Sequence, residues 1–164
     1  MNSKDSFVAI DFETAIQHHI CAVGIVTVLG GNIVDEYYTL VQPPENEYSY
    51  FTIKVHGITP EQTVEAPTFY QIFPEIQKRL QGKVVVAHNE GFDRGVLMKS
   101  MRDNSLDYEL LELADKWECT MQIYRKKGYR PYKLDACCRQ HGISLNHHEA
   151  LSDARACAKL YLLR

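Results

Sequence analysis

The stretch Phe7-Val8-Ala9-Ile10-Asp11-Phe12-Glu13 is apolar at every position but two, and those two carry carboxylates. An apolar run of this kind makes a buried strand. Side chains of a strand alternate faces, so residues two apart project together, and Asp11 and Glu13 share one side. Two like charges held so close repel each other, and burying them unpaired costs several kcal/mol. A bound divalent cation is the simplest compensation. The alternative is a strand that ends at Ile10, with both acids solvated or paired with Lys or Arg.

Other acids in similar settings favour the cation. Val84-Val85-Val86-Ala87-His88-Asn89-Glu90-Gly91-Phe92-Asp93 is a second apolar strand that runs into a polar turn with an acid at its end. Near the C-terminus, His147-His148-Glu149-Ala150-Leu151-Ser152-Asp153-Ala154 opens a helix carrying both an imidazole and an acid.

At 164 residues the chain is expected to form a single domain, 1–164, with its core at about 7–163. A domain of that size buries roughly 68–70% of its unfolded surface and needs neither disulfide nor metal merely to fold. The five cysteines are odd in number, include one adjacent pair (Cys137-Cys138) and have no C-x-x-C spacing, which argues against a disulfide framework and a cysteine zinc site. A reducing cytoplasm is the expected location. Met1 to Ser6 has no apolar signal core, and no apolar run approaches the roughly 20 residues of a membrane span. No membrane partner is expected.

The net charge of −3 hides an asymmetry. Assigning Asp11, Glu13, Asp93 and Asp153 to metal removes four negative charges and turns −3 into +1. Between Ile123 and Arg139, Arg125, Lys126, Lys127, Arg130, Lys133 and Arg139 face Asp135 alone. A charge run is ordinarily a solvated face. Here Tyr124, Tyr129 and Tyr132 interleave it, and a basic aromatic patch beside an acidic metal site suits a phosphodiester substrate.

Strands are expected at 7–12, 20–29 and 32–41, the last two joined by a tight hairpin at Gly30-Gly31-Asn32. A loop covers 42–50, and no element is read from 51 to 55. Thr59 caps a helix with Pro60 at its first position. The segment 67–80 has helical spacing, with Phe69, Ile72, Phe73, Ile76 and Leu80 on one face. A strand at 83–87 precedes a helix at 92–101, a short strand or irregular piece near 109–114, and helices at about 120–126, 133–141 and 149–163. Trp117 is read as core. Three antiparallel strands followed by helix-strand-helix units make an α/β fold, a mixed sheet covered by helices on both faces.

With these motifs in order, the chain resembles the DnaQ-like 3′–5′ exonucleases of the DEDDh group, the family of the DNA polymerase III epsilon proofreading subunit. Motif one, D-x-E-T, is Asp11-Phe12-Glu13-Thr14. H-N-x-x-F-D is His88-Asn89-Glu90-Gly91-Phe92-Asp93, and H-x-A-x-x-D-A is His148-Glu149-Ala150-Leu151-Ser152-Asp153-Ala154. His56-Gly57-Ile58-Thr59 matches the family's H-G-I-T, and Lys133 to Ile143 resembles its L-x-x-x-C-x-x-x-G-I helix. The likeness runs from about residue 7 to 163. It implies a ribonuclease H-like, five-stranded mixed sheet. The related DEDDy enzymes place a Tyr four residues before the last Asp, where this chain has Glu149, so the His type is indicated. Five residues on a continuous helix turn about 500°, leaving His148 and Asp153 some 140° apart. His148 is therefore expected at or just before the helix start. His147 has a spacing to Asp153 that does not match the family.

The resemblance implies two divalent cations, Mg²⁺ or Mn²⁺, since hard oxygen ligands select these over zinc. Asp11 would bridge both, Glu13 and Asp153 would complete the first, Asp93 would serve the second, and His148 would be the general base. Phe12, Thr14, His56, Ile58, Asn89 and Phe92 are the expected nucleic-acid contacts. For Phe12 ordinary core packing is an equal alternative, for His56 a capping role is a close one, and His88 is expected only to satisfy backbone. The expected activity is removal of mononucleotides from 3′ ends of single-stranded or frayed DNA. The alternatives are an RNA-trimming enzyme of the same fold and a non-catalytic module, and a DNA polymerase is the implied partner.

Overall fold

The computed structural model describes residues 5–164; residues 1–4, with which the expected domain begins, lie outside the described residues. Five strands form one sheet in the order β3-β2-β1-β4-β5, where β1 is Phe7–Ile16, β2 His19–Leu29, β3 Asn32–Leu40, β4 Val85–Ala87 and β5 Glu118–Cys119. The first three are antiparallel neighbours, and β4 and β5 add on in parallel. This is the expected mixed α/β sheet. The hairpin at Gly30-Gly31 has φ of 56° and 84°, a pair of left-handed residues that matches the twist of the flanking strands.

Alternation along β1 divides the molecule. Val8, Ile10 and Phe12 face a core closed by helices α3 (Phe69–Leu80) and α4 (Glu90–Asp103). Phe7 and Ala9 face α7 (Ala150–Leu162) through Ala154, Cys157, Ala158 and Tyr161. A third cluster joins α5 (Thr120–Lys126) and α6 (Leu134–His141) to α7 through Tyr124, Leu134, Cys137 and Leu160. Helix α7 lies close on the sheet because residue 24 is glycine. A Cβ built there would overlap the Ala150 carbonyl group, so the first turn of α7 rests directly on β2 backbone.

Several boundaries differ from expectation. β1 continues to Ile16, which puts Asp11 and Glu13 inside the strand. Register shifts after Glu13 and after Thr14 mark where pairing with β2 becomes irregular. The interval where no element was read holds α1 (Tyr50–His56), and α2 (Pro60–Thr63) follows, with the Thr59 amide donating to Gln62 Oε1 at 2.9 Å. The piece at 109–114 is a 3-10 turn, Tyr108–Leu111, and the fifth strand comes later at Glu118–Cys119. Trp117 is 7% exposed, and its Nε1 donates to the Tyr108 hydroxyl at 2.7 Å. All five cysteines are free thiols. Among the described residues no helix is long and apolar enough to cross a membrane.

Candidate active site

Asp11 and Glu13 leave β1 on the face that α7 covers, and α7 brings Asp153 in its first turn. Asp11 pairs in register with Gly24, the residue on which Ala150 sits, so the seat of the helix fixes how near Asp153 approaches. One oxygen from each of Asp11, Glu13 and Asp153 lies within 4.8 Å of the other two. Asp93, from the first turn of α4, is fully buried and accepts the Phe12 amide at 2.9 Å. That bond commits the Phe12 N–H, and the Phe12 ring packs in the core with Val8 and Ile10, the alternative weighed for it from the sequence. Asp93 is not part of that triplet.

Four acids gathered in a poorly hydrated place raise one another's affinity for protons. Burial first, then the charges of Asp93, Glu13 and Asp153, raise the Asp11 carboxyl well above the ordinary range. Burial, then Asp153 and Asp93, push Glu13 up to about 8. Asp93 is pushed up to about 8 by burial, although the Phe12 amide pulls the other way. Burial also raises Asp153, while its bond to His147 lowers it. Asp11 Oδ2 is buried without a hydrogen-bond partner. An orphaned oxygen amid carboxyls that resist ionisation is what a site for hard divalent cations looks like without its charge balance. The residues fit such ions.

His148 stands where the sequence placed it, outside the helix. Its φ is 68°, Glu149 is the N-cap of α7, and the Glu149 carboxylate accepts from the Leu151 and Ser152 amides at 3.1 and 2.8 Å. The position that is Tyr in the DEDDy type thus caps the helix here. The His148 amide donates to Asp153 Oδ2 at 3.1 Å. Its imidazole stacks on that of His147 with centroids 3.7 Å apart, and burial first, then His147, lowers its pKa below the ordinary value. His147, which spacing alone placed outside the motif, also reaches the site, and its Nδ1 donates to Asp153 Oδ1 at 3.2 Å.

A cavity of about 450 Å³ opens over the acids. Of the expected nucleic-acid contacts, Phe12, Thr14, His56 and Phe92 line it, whereas Ile58 and Asn89 do not. The Ile58 amide donates to His56 Nδ1 at 3.0 Å, and His56 Nε2 donates to the Thr14 carbonyl at 2.9 Å. Both ring nitrogens of His56 are thereby committed, leaving its face for contact. His88 is held in the same manner, accepting from Thr120 Oγ1 at 2.9 Å and donating to the Tyr132 carbonyl at 3.1 Å, and burial lowers its pKa to about 4. The expected backbone role of His88 is thus present, though its ring also lines the cavity. Sequence reasoning missed Phe51, Thr52 and Val55 of α1, together with Met121 and Leu134, while Lys133 of the expected basic patch is in the lining. Phe51 is 77% exposed, an unusual state for a phenyl ring beside a polar site. The available signal was Ser49 before an apolar pair four residues apart, Phe51 and Val55, the pattern of a capped helix.

The model of the exonuclease family RNase_T matches residues 8–161. The chain belongs to that exonuclease family. It is similar to the PolC-type DNA polymerase III of Thermotoga maritima, 32% identical over 163 residues that cover 96% of this chain and 12% of that protein. It is also similar to the 3′–5′ exonuclease DinG of Staphylococcus aureus, 29% identical over 94% of this chain and 16% of that protein. The chain therefore spans under a fifth of the length of these relatives. Exonuclease X in complex with 5′-overhanging duplex DNA superposes with a TM-score of 0.70 at 25% identity, covering 96% of this chain and 88% of that one. The nuclease domain of 3′hExo, a DEDDh family member bound to rAMP, superposes with a TM-score of 0.81 at 21% identity over 97% and 90% of the two chains.

Proposed function

We propose that this exonuclease-family chain removes mononucleotides from the 3′ end of single-stranded or frayed DNA, with His148 as general base and two Mg²⁺ or Mn²⁺ ions. The observation that carries the reading is the orphaned Asp11 Oδ2 at the centre of Glu13, Asp93 and Asp153, beside a cavity of small-ligand size. Asp11, Glu13 and Asp153 would hold one ion, and Asp11 with Asp93 the other. Such ions, when bound, polarise the phosphodiester and lower the pKa of water.

His148 takes the proton of the attacking water on a ring nitrogen that burial keeps neutral. His147 holds the Asp153 carboxylate on one side while the His148 amide holds the other, so Asp153 cannot rotate away. The exposed rings of Phe51 and Phe92 and the face of His56 border the cavity and offer stacking surfaces that every base can use. Lys133, also in the lining, meets the phosphate backbone, and Arg125, Arg130 and Tyr132 extend that path, whereas Tyr124, read from the sequence as part of the patch, is buried in the core. DNA is favoured because the PolC-type polymerase and DinG are among the relatives. By the same likeness, the chain works beside or within a polymerase or a larger nucleic-acid enzyme.

The deciding experiment is time-resolved digestion of matched DNA and RNA oligonucleotides labelled at the 5′ end. A ladder that descends from full length, faster on DNA, is expected with Mg²⁺ and Mn²⁺. Label released at once as a mononucleotide overturns the polarity, and faster loss of RNA overturns the sugar preference.

A further inference from the structure

We propose a second metal site, separate from the carboxylate cluster, in which His18 and His19 on the turn between β1 and β2 and Asp103 at the end of α4 bind an imidazole-preferring divalent ion of the Zn²⁺ class. One nitrogen from each imidazole and one Asp103 oxygen lie within 4.8 Å of one another. Neighbouring residues in a strand would point apart. Here Gln17 takes a φ of 52° and Ile16 pairs with His19, a tight reversal that brings the two rings to 4.9 Å between centroids at 78°. The Ser100 hydroxyl donates to the His18 carbonyl at 3.3 Å and fastens the last turn of α4 to this reversal. Asp103 follows one turn of helix later and accepts from His18 Nε2 at 2.6 Å.

The observation that points to a ligand is His19 Nδ1, which is buried with no hydrogen-bond partner. Folded proteins seldom leave a buried ring nitrogen unsatisfied, and an imidazole nitrogen without a proton partner is a metal ligand in waiting. The donor set differs from that of the catalytic cluster: two imidazoles and one carboxylate suit Zn²⁺ and its neighbours, whereas Mg²⁺ prefers oxygen. Tetrahedral bonds of about 2.0–2.2 Å put ligand atoms roughly 3.3–3.5 Å apart, so the present spacings need adjustments of no more than about 1.5 Å. The ion would displace the proton that His18 now shares with Asp103, releasing it to solvent. A cavity of about 330 Å³, lined also by Gln42, Glu45 and Asn104, leaves space for water as the fourth ligand. Occupancy would tie the β1–β2 turn to one end of α4, whose other end carries Asp93.

The test is calorimetric titration of Zn²⁺ alone into chelator-stripped protein held in excess Mg²⁺, which fills the carboxylate cluster. The background is the His147→Ala/His148→Ala double variant, so that the active-site imidazoles bind nothing. One Zn²⁺ per chain is expected, with a rise in Tm. His19→Asn should weaken binding more than about 100-fold, beyond the 10–100-fold that outer partners of a metal site contribute, and abolish the rise. Asp103→Asn should weaken binding in the same direction, and being at the surface it serves as the second variant if His19→Asn does not fold. Each single substitution in the otherwise unaltered chain should keep the Mg²⁺-dependent activity. No Zn²⁺ binding in the background, or binding indifferent to both substitutions, would overturn the site.

Discussion

Asp93→Asn isolates the electrostatic strain of the acidic cluster. The replacement keeps an oxygen at Oδ1 to accept the Phe12 amide and removes one of four crowded negative charges. Asp93 is raised from 3.8 to about 8, so the folded chain without metal binds a proton that the unfolded chain releases. Stability therefore falls as pH rises from the ordinary carboxylate range towards 8. At 1.36 kcal/mol per unit, the isolated shift costs about 5 kcal/mol at pH 8 and under 2 kcal/mol at pH 5. The other three carboxyls compete for the same protons after the substitution, and roughly half of that difference, about 2 kcal/mol, should be recovered. For a chain of this size that is a Tm gain of roughly 4–8 °C. The assay is thermal unfolding in EDTA at both values of pH. The Asp93→Asn variant should melt higher than wild type at pH 8, with the gap narrowing at pH 5, and in Mn²⁺ the order should reverse because wild type is stabilised by both ions and the variant loses the one that Asp93 serves. A variant that melts lower in EDTA at pH 8 would refute the reasoning and make Asp93 a structural acid.

Other outcomes follow from the same geometry. EDTA should abolish activity and Mg²⁺ or Mn²⁺ restore it, while Ca²⁺, with longer bonds and looser geometry, supports binding with little turnover in an oligonucleotide assay. His148→Ala should lower kcat by about 10²–10⁴-fold, and the wild-type rate should climb with pH through a value below 6.5, a climb the variant lacks. His147→Ala should cost a smaller factor, about 10-fold, through loss of its hold on Asp153; if it is the more damaging of the two in single-turnover kinetics, the base is misassigned. Phe51→Ala should raise KM for single strands roughly 5–100-fold with little effect on Tm, as removal of an exposed stacking surface would, and unchanged KM would place Phe51 off the substrate path.

The acids of this site were readable because each stands in a strong local pattern. Alternation put Asp11 and Glu13 on one face before any partner was known, and the angular mismatch between His148 and Asp153 placed the imidazole outside α7, where it is found. Helix α1 was not readable because Tyr50, Phe51, Thr52, Ile53 and Val55 are aromatic or β-branched and favour strands. It forms because distant groups hold it: the Ser49 amide and the Thr52 hydroxyl both donate to the Ala15 carbonyl, and Ser49 Oγ accepts the Phe51 amide. β5 is two residues long and exists only through its pairing with β4, so it carries no periodicity to detect. The contact of His147 with Asp153 depends on the left-handed φ of His148, which sequence spacing does not encode.

The glycine beneath α7 gives the site its mechanical character. Because Ala150 meets the β2 backbone with no side chain between them, the gap separating the strand-borne acids from the helix-borne ones is a main-chain dimension. It has the stiffness of the sheet and cannot drift with a rotamer. Surface loops can lengthen and outer faces can change without disturbing it. A methyl group at residue 24 would act as a shim, lifting Asp153 and both imidazoles together, and a displacement of about 1 Å at reacting groups costs on the order of 10²-fold in rate. This catalyst is thus sensitive to change at a position that itself touches no acid or imidazole of the site through a side chain.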